Sequence, residues 1–233
     1  GGIGWRRGVC DGGWRAGGPS ADGVVIGKRL RRGAPMGIGV LMESGLFVAA
    51  ALAIGTLGED AVASHQVALN VAAVAFMVPL GLAMAITIRL GRAAGSHNHA
   101  GVRRAFAAGV ALILVTQSLS SGLMLGLPHA IAGLYSDDAV VVTMAARLLI
   151  LAGIFQLADG LQVAANGALR GLKDTRVPMF LTAFAYWLVG MPVGWWLTFR
   201  ADLGARGMWM GLIAGLSAAA LLLVRRFAWT CLF

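Results

Sequence analysis

The sequence predicts an all-α membrane protein with six transmembrane helices. Of its 233 residues, 58% are hydrophobic and only 12% are charged, whereas a soluble domain carries roughly 25% charged residues. Six segments each supply about 20 mostly apolar residues, which is the length that crosses a hydrocarbon core of about 30 Å. Most of the basic residues fall in short clusters between these segments. Together the three observations indicate a multi-pass membrane protein.

The predicted spans follow one another along the chain. They are Ala34–Leu57, Val62–Leu90, Ala105–Leu127, Val140–Leu169, Val177–Phe199 and Ala205–Val224. Residues 34–227 therefore form the predicted transmembrane domain, and residues 228–233 form a cytoplasmic tail. Residues 1–33 are rich in Gly and Arg and show little hydrophobic periodicity, so we expect disorder or an unreliable translation start there. This segment lacks an initiator Met, and we expect the chain to be truncated.

The distribution of positive charge predicts the orientation. A net charge of +9 would suggest nucleic acid as the partner of a soluble protein, but no aromatic-interleaved basic surface is present, and we reject nucleic acid. Most Lys and Arg residues precede the first span, lie between the second and third or the fourth and fifth spans, or follow the sixth. This bias predicts that both termini are cytoplasmic, as an even number of spans requires. Five aromatic residues near span ends are predicted to lie in interfacial belts: Tyr186, Trp187, Trp195, Trp196 and Trp209.

Two carboxylates lie inside the apolar spans, Glu43 in the first and Asp159 in the fourth. Neither has an obvious cationic partner one helical turn away. A charge at bilayer depth costs at least a few kcal/mol, so such residues are rare and usually mark ion or proton pathways. We predict a cation-binding and coupling site at Glu43 and Asp159. A proton and Na⁺ both fit such a site, and the sequence does not separate them.

Other polar residues in the spans are candidates for lining a cavity. Gln156, Gln162 and Asn166 share roughly one third of the helical circumference with Asp159, so this stripe is expected to face the bundle interior or an aqueous cavity. For the amides, interhelical hydrogen bonding is the competing interpretation. On the second span, three residues cluster near the outer end and either line an outward cavity or form hydrogen bonds at the interface: His65, Gln66 and Asn70.

Met42 and Phe155 are candidates for contacting a lipophilic cation through soft packing and cation–π attraction, although core packing is the alternative for each. No nucleophile–base pair or metal-ligand constellation is present, so an enzyme is not expected and no cofactor is implied. The expected ligands are Na⁺ or H⁺ as coupling ion and a small organic substrate.

Five segments carry a recognisable pattern: 33–43, 63–70, 78–83, 155–162 and the loop motif at 167–176, which is the most specific of them. Together these segments resemble the multidrug and toxic compound extrusion (MATE) family, most closely its bacterial NorM-like branch. The similarity covers about residues 33–227.

The resemblance implies a family fold of twelve helices in two six-helix lobes, exporting organic cations against inward Na⁺ or H⁺. This chain resembles the C-terminal lobe only, so a missing N-terminal lobe is an implied partner, and the implied location is the bacterial cytoplasmic (inner) membrane. Glu43 and Asp159 fall on the acids of the family's C-lobe cation site. Some members carry a tyrosine at the position of Phe155, and its hydroxyl is lost here.

Two alternatives remain open. A lipid-linked glycan flippase is a sister class of transporter, but it usually needs cationic cavity residues, for which only Arg147 qualifies. The second alternative is a truncated, non-transporting remnant whose product folds as one lobe without a translocation path.

Overall fold

The computed structural model describes residues 19–232, with side chains at 33–35 and 37–230, and it is helical with short turns throughout this part of the chain. Contacts divide the chain into units 1–34 and 35–233, of which the second carries the helical bundle. The elements are α1 (Pro19–Gly55), α2 (Glu59–Gly95), α3 (His99–Gly126), α4 (Pro128–Gly133), α5 (Ala139–Gly171), α6 (Arg176–Phe184), a π-helical segment (Ala185–Gly190), α7 (Met191–Phe199) and α8 (Ala205–Leu232).

The predicted all-α membrane class and the number of spans are confirmed. Six helical stretches in the described residues are long and apolar enough to cross a membrane. They are Gly33–Gly55, Glu59–Gly95, His99–Gly126, Ala139–Gly171, Arg176–Phe199 and Ala205–Thr230. Two details differ from expectation: α1 begins at Pro19, within the segment expected to be disordered, and α4 occupies part of a predicted loop. Residues 1–18 of that segment lie outside the described residues.

Local capping explains where two of the helices begin. The Asp138 carboxylate accepts hydrogen bonds from the Val140 and Val141 amides at 2.7 and 3.4 Å, and so caps α5. The Asn98 side chain accepts from the Gly101 amide at 2.8 Å and caps α3. Such caps satisfy amides that have no partner within the first helical turn.

Helix α5 is the centre of the bundle, because it packs against α2, α3 and α8. Its small residues permit close approach to α2. A Cβ atom at Gly167 would lie 2.7 Å from the Ala83 carbonyl oxygen, and the Thr87 hydroxyl donates a 2.7 Å hydrogen bond to the Gly167 carbonyl. Helices in lipid associate through such small-residue contacts, since burial of apolar surface gives no driving force there.

The fifth span is not a continuous α-helix, since α6 and α7 are joined by the π segment. Pro192 lacks the N–H that would bond to Leu188, which favours a widened turn at this point. The π segment and α7 approach α8 closely: a Cβ at Gly207 would lie 2.5 Å from the Leu197 carbonyl carbon, and one at Gly215 would lie 2.9 Å from the Gly190 Cα. The glycines of α8 therefore allow the fifth span to pack closely against it.

The prediction of an interfacial belt was wrong for Tyr186 and Trp209. Their side chains are 1% and 0% exposed, because they turn into the bundle core and find polar partners there. Trp195 and Trp196 are 53% and 60% exposed and remain available to a lipid interface.

Candidate functional site

Glu43 lies where two cavities of the bundle adjoin. The larger cavity, of about 450 Å³, is lined by residues of α1, α2, α5 and α6 and of the turn that precedes α6. The smaller, of about 290 Å³, is lined by α1, α2, α5 and α8 and also contains Asp159. Glu43, Phe47 and Phe76 border both cavities. The structure thus brings the two predicted acids, which are far apart in sequence, to one cavity.

Asp159 is almost completely buried, with 4% of its surface exposed, and it lies within electrostatic range of Glu43. Helix α5 positions it because residues 155 and 159 are one turn apart and face the same side. Phe155 also lines the smaller cavity, in edge-to-face contact with Phe47 (ring centroids 6.1 Å apart) and with Trp209 (5.8 Å apart). The smaller cavity is therefore lined by the aromatic rings of Phe47, Phe155 and Trp209 as well as by the two acids.

The larger cavity is more polar. Gln162 and Asn166 line it from α5, and Ser44 and Thr182 line it from α1 and α6. The Gln162 amide donates a 2.9 Å hydrogen bond to the Tyr186 hydroxyl, which brings the π segment to the edge of the site. Tyr186 lies within electrostatic range of both acids. This hydroxyl comes from a residue that the sequence analysis placed in an interfacial belt.

Gln156 lies in the same polar stripe but serves to connect helices. The Gln117 side chain on α3 donates to the carbonyl and side-chain oxygens of Gln156, at 2.9 and 2.7 Å. The Gln156 amide donates in turn to the Ala72 carbonyl on α2 at 3.2 Å. Gln156 does not line either cavity. Its contacts are those of the interhelical hydrogen-bonding interpretation.

Arg170 also lines the larger cavity and was missed as a site residue by the sequence analysis, which assigned it to a cytoplasmic loop. It lies within electrostatic range of Glu43. Its Nε is buried and has no hydrogen-bond partner among the described residues. The signal was present in the sequence, because Arg170 continues the stripe of Gln162 and Asn166 at intervals of four residues along α5.

The remaining candidates are not brought to the two cavities. His65 is 1% exposed and accepts a 3.1 Å hydrogen bond at Nδ1 from the Trp209 indole. His65 therefore fixes the position of Trp209, which lines the smaller cavity. Gln66 and Asn70 are exposed. Met42 lies in a separate apolar groove with Phe184 and other residues of α6 and the π segment.

This arrangement can bind a cation. Two carboxylates can attract positive charge, and amide and hydroxyl oxygens stand beside them as further ligands for a hard cation. The aromatic rings offer faces to a lipophilic cation. Acidic side chains that lie within membrane spans and face a cavity are typical of ion pathways in membrane proteins.

Comparison with known proteins identifies relatives over most of the chain. Residues 35–196 match the MatE family model. "Probable multidrug resistance protein NorM" of Xanthomonas campestris pv. campestris is 52% identical over 206 residues, which cover 88% of this chain and 45% of that protein. "Multidrug resistance protein PmpM" of Pseudomonas aeruginosa is 45% identical over 211 residues, which cover 89% and 44%. The chain spans less than half the length of these relatives.

Solved structures agree in fold. An outward-facing multidrug resistance MATE family transporter of the MOP superfamily aligns with a TM-score of 0.82 at 20% identity, covering 94% of this chain and 49% of that one. The eukaryotic MATE transporter AtDTX14 aligns with a TM-score of 0.81 at 23% identity, covering 86% and 45%. At these identities the similarity shows the fold alone. It confirms the six-helix architecture and its correspondence to about half of a MATE chain.

Proposed function

This chain belongs to the MatE family, and on that premise we propose that it forms one lobe of a cation-coupled exporter of small organic cations. Relatives that carry the name of multidrug resistance proteins support a transporter rather than an enzyme. They do not favour the flippase alternative. The observation that carries the proposal is the convergence of Glu43 and Asp159 on one cavity.

The coupling ion, H⁺ or Na⁺, moves inward against the exported organic cation and binds at Glu43 and Asp159. A ligand shifts a conformational equilibrium only through its different affinity for the two states. In this scheme, binding of the ion favours the outward-open state, and release of the organic cation accompanies it. Negative charge in a poorly solvated cavity supports this role because its interaction with a cation is weakly screened.

The organic substrate is expected to be lipophilic and cationic. Phe47, Phe76, Phe155 and Trp209 line the smaller cavity together with the acids. Aromatic faces attract organic cations and supply apolar contact area at the same time. An uncharged compound would gain no charge attraction from the carboxylates, and an anionic compound would be repelled by them.

A second six-helix lobe is the proposed partner, because the chain covers less than half of its relatives. The proposed location is the bacterial cytoplasmic membrane with both termini in the cytoplasm, as the loop charges favour. The intact mass of the native membrane product tests the lobe arrangement. A product near twice the mass of this chain supports a two-lobe transporter, whereas a product of 24.1 kDa without a crosslinked second lobe contradicts it.

The coupling role is tested by Asp159→Asn in the native gene product. Everted membrane vesicles with an imposed H⁺ or Na⁺ gradient take up ethidium when they contain the wild-type protein. With Asp159→Asn, this uptake should fall to the level of vesicles without the protein. Asp137→Asn is the matched control, because Asp137 is exposed and lies outside both cavities. With equal amounts of protein in the membrane, normal transport by Asp159→Asn would refute the assignment.

A double variant tests whether the two acids form one site. If Glu43 and Asp159 bind the same ion, the conservative variants Glu43→Asp and Asp159→Glu, which keep a carboxylate and so leave measurable gradient-driven transport, should have non-additive effects when combined, because residues that act as a unit are not additive. Independent, multiplicative losses in the double variant would show two separate sites.

A further inference from the structure

A second polar cavity lies at the junction of α2 and α3, remote in sequence from the acids. Its volume is about 580 Å³, and we name it the α2–α3 pocket. Arg89 and Arg92 line it from α2, and Arg104 lines it from α3. Ser96 and Asn98 complete its polar lining from the turn between the helices.

The sequence builds this pocket through the same spacing on both helices. Lining residues recur at 89, 92 and 93 on α2 and at 96 directly after its end, and at 101, 104, 105 and 108 on α3. Positions separated by three, four and seven residues lie on one helical face. Arg92 and Arg104 occupy the second position of their sets, and Arg89 occupies the first position of the α2 set. Small residues such as Ala93, Gly101 and Ala105 leave space between the helices. The guanidinium groups therefore border a concave space.

The positive charge of the pocket is not neutralised by carboxylates. No Asp or Glu occurs between Ala61 and Asp137 in the sequence. Among the described residues, the arginines of the pocket form no ion pair, in contrast to Arg226, which pairs with Asp174 at 2.9 Å. Three guanidinium groups at one cavity present a strongly anion-attracting surface.

We propose that the α2–α3 pocket binds a phosphate group, as carried by an anionic phospholipid headgroup or by free phosphate. The planar guanidinium donates two parallel hydrogen bonds to phosphate oxygens, which makes Arg the preferred residue for phosphate recognition. The location favours a lipid, because Arg89 and Arg92 lie in the last two turns of a membrane-spanning helix. Basic pockets between transmembrane helices are typical sites for anionic headgroups.

Native mass spectrometry of the native protein, titrated with phosphatidylglycerol or phosphatidylcholine in detergent, tests the proposal. The wild-type protein should retain phosphatidylglycerol in preference to phosphatidylcholine. The double variant Arg92→Gln/Arg104→Gln should weaken phosphatidylglycerol binding by about 25-fold, since each basic residue contributes a factor of about five.

Arg176→Gln/Arg225→Gln is the matched control. It removes the same charge from two exposed arginines on the same predicted side of the membrane, outside the pocket. If the pocket double variant does not fold, the single variant Arg104→Gln should still show a loss of about fivefold. Equal lipid binding by the pocket and control variants would overturn the proposal if phosphate also fails to bind.

Titration with inorganic phosphate distinguishes the two sources. Displacement of phosphatidylglycerol only by other anionic lipids supports a lipid headgroup site. Saturable binding of phosphate that Arg92→Gln/Arg104→Gln abolishes, without selective lipid retention, assigns the pocket to the free anion. Because the readout is binding and not transport, its result does not depend on the proposed role of the acids.

Discussion

The side-chain amide of Gln162 donates to the hydroxyl of Tyr186 across 2.9 Å, linking α5 to the π segment beside the acids. Tyr186 is 1% exposed. Since its oxygen accepts from Gln162, the hydroxyl retains its own hydrogen for donation. We expect the Tyr186 hydroxyl to donate this hydrogen toward the acids of the proposed cation site, with both of which it interacts electrostatically; Phe155 has no hydroxyl to offer.

Tyr186→Phe should weaken binding of the coupling ion. Loss of one hydrogen-bonding group costs about 1 kcal/mol, so the apparent affinity for the ion in gradient-driven ethidium transport should fall about fivefold. Tyr135→Phe is the matched control, because Tyr135 is the other tyrosine of the chain and is 49% exposed. An unchanged ion dependence in Tyr186→Phe would show that the hydroxyl is not part of the site.

Arg170→Gln should strengthen binding of organic cations. Arg170 lies in the larger cavity within electrostatic range of Glu43, so it offsets part of the negative charge there. Removing about 1 kcal/mol of this compensation should raise ethidium affinity roughly fivefold, measured by fluorescence titration of the purified protein. Arg225→Gln, which changes an exposed arginine outside the cavities, should leave the affinity unchanged. Weaker binding in Arg170→Gln would contradict this electrostatic role.

The spans and the two acids were predictable from sequence because both depend on local chemistry. Long apolar runs are explained by the bilayer alone, and a carboxylate within such a run is conspicuous. That Glu43 and Asp159 border one cavity depends on how α1 packs beside α5, which no local pattern encodes.

The errors of the sequence analysis concern Arg170, at the end of an apolar run, and two aromatic residues, Tyr186 and Trp209. Arg170 was assigned to a loop because basic residues cluster on the cytoplasmic side, yet α5 continues to Gly171 and directs this side chain to the larger cavity. Tyr186 and Trp209 were assigned to an interface because both residues are common there. Their burial follows from tertiary partners, Gln162 and His65, which lie far away in sequence.

Trp209→Phe should destabilise the bundle. The Trp209 indole donates to His65 Nδ1 at 3.1 Å, and the other ring nitrogen of His65 has no partner among the described residues. The substitution keeps an aromatic ring but leaves a buried acceptor unpaired, at a cost of about 1–3 kcal/mol. Thermal unfolding in detergent should therefore occur at a lower temperature, whereas Trp195→Phe, at a 53% exposed side chain, should have little effect. Equal unfolding temperatures in the two variants would contradict a stabilising role for this hydrogen bond.

Gly211→Ala should separate α8 from the fifth span. A Cβ atom at Gly211 would meet the backbone of Gly194 and lie 2.7 Å from the Gly190 carbonyl oxygen, and backbone atoms cannot move aside as a flexible side chain can. Overpacking of this kind costs about 1–3 kcal/mol. Because Gly190 ends the π segment that carries Tyr186, the same change should also displace that hydroxyl and weaken the coupling ion's binding.

Gly122→Ala is the control for this clash, since a Cβ at Gly122 would meet nothing within 4 Å. There the gain in helix propensity should leave stability unchanged or raise it by up to about 1 kcal/mol. Thermal unfolding followed by size-exclusion chromatography separates the two cases. If Gly211→Ala unfolds at the same temperature as Gly122→Ala, the added methyl group does not disturb the packing of α8 against α7 and the π segment. That packing would then not be what holds Tyr186 beside the acids.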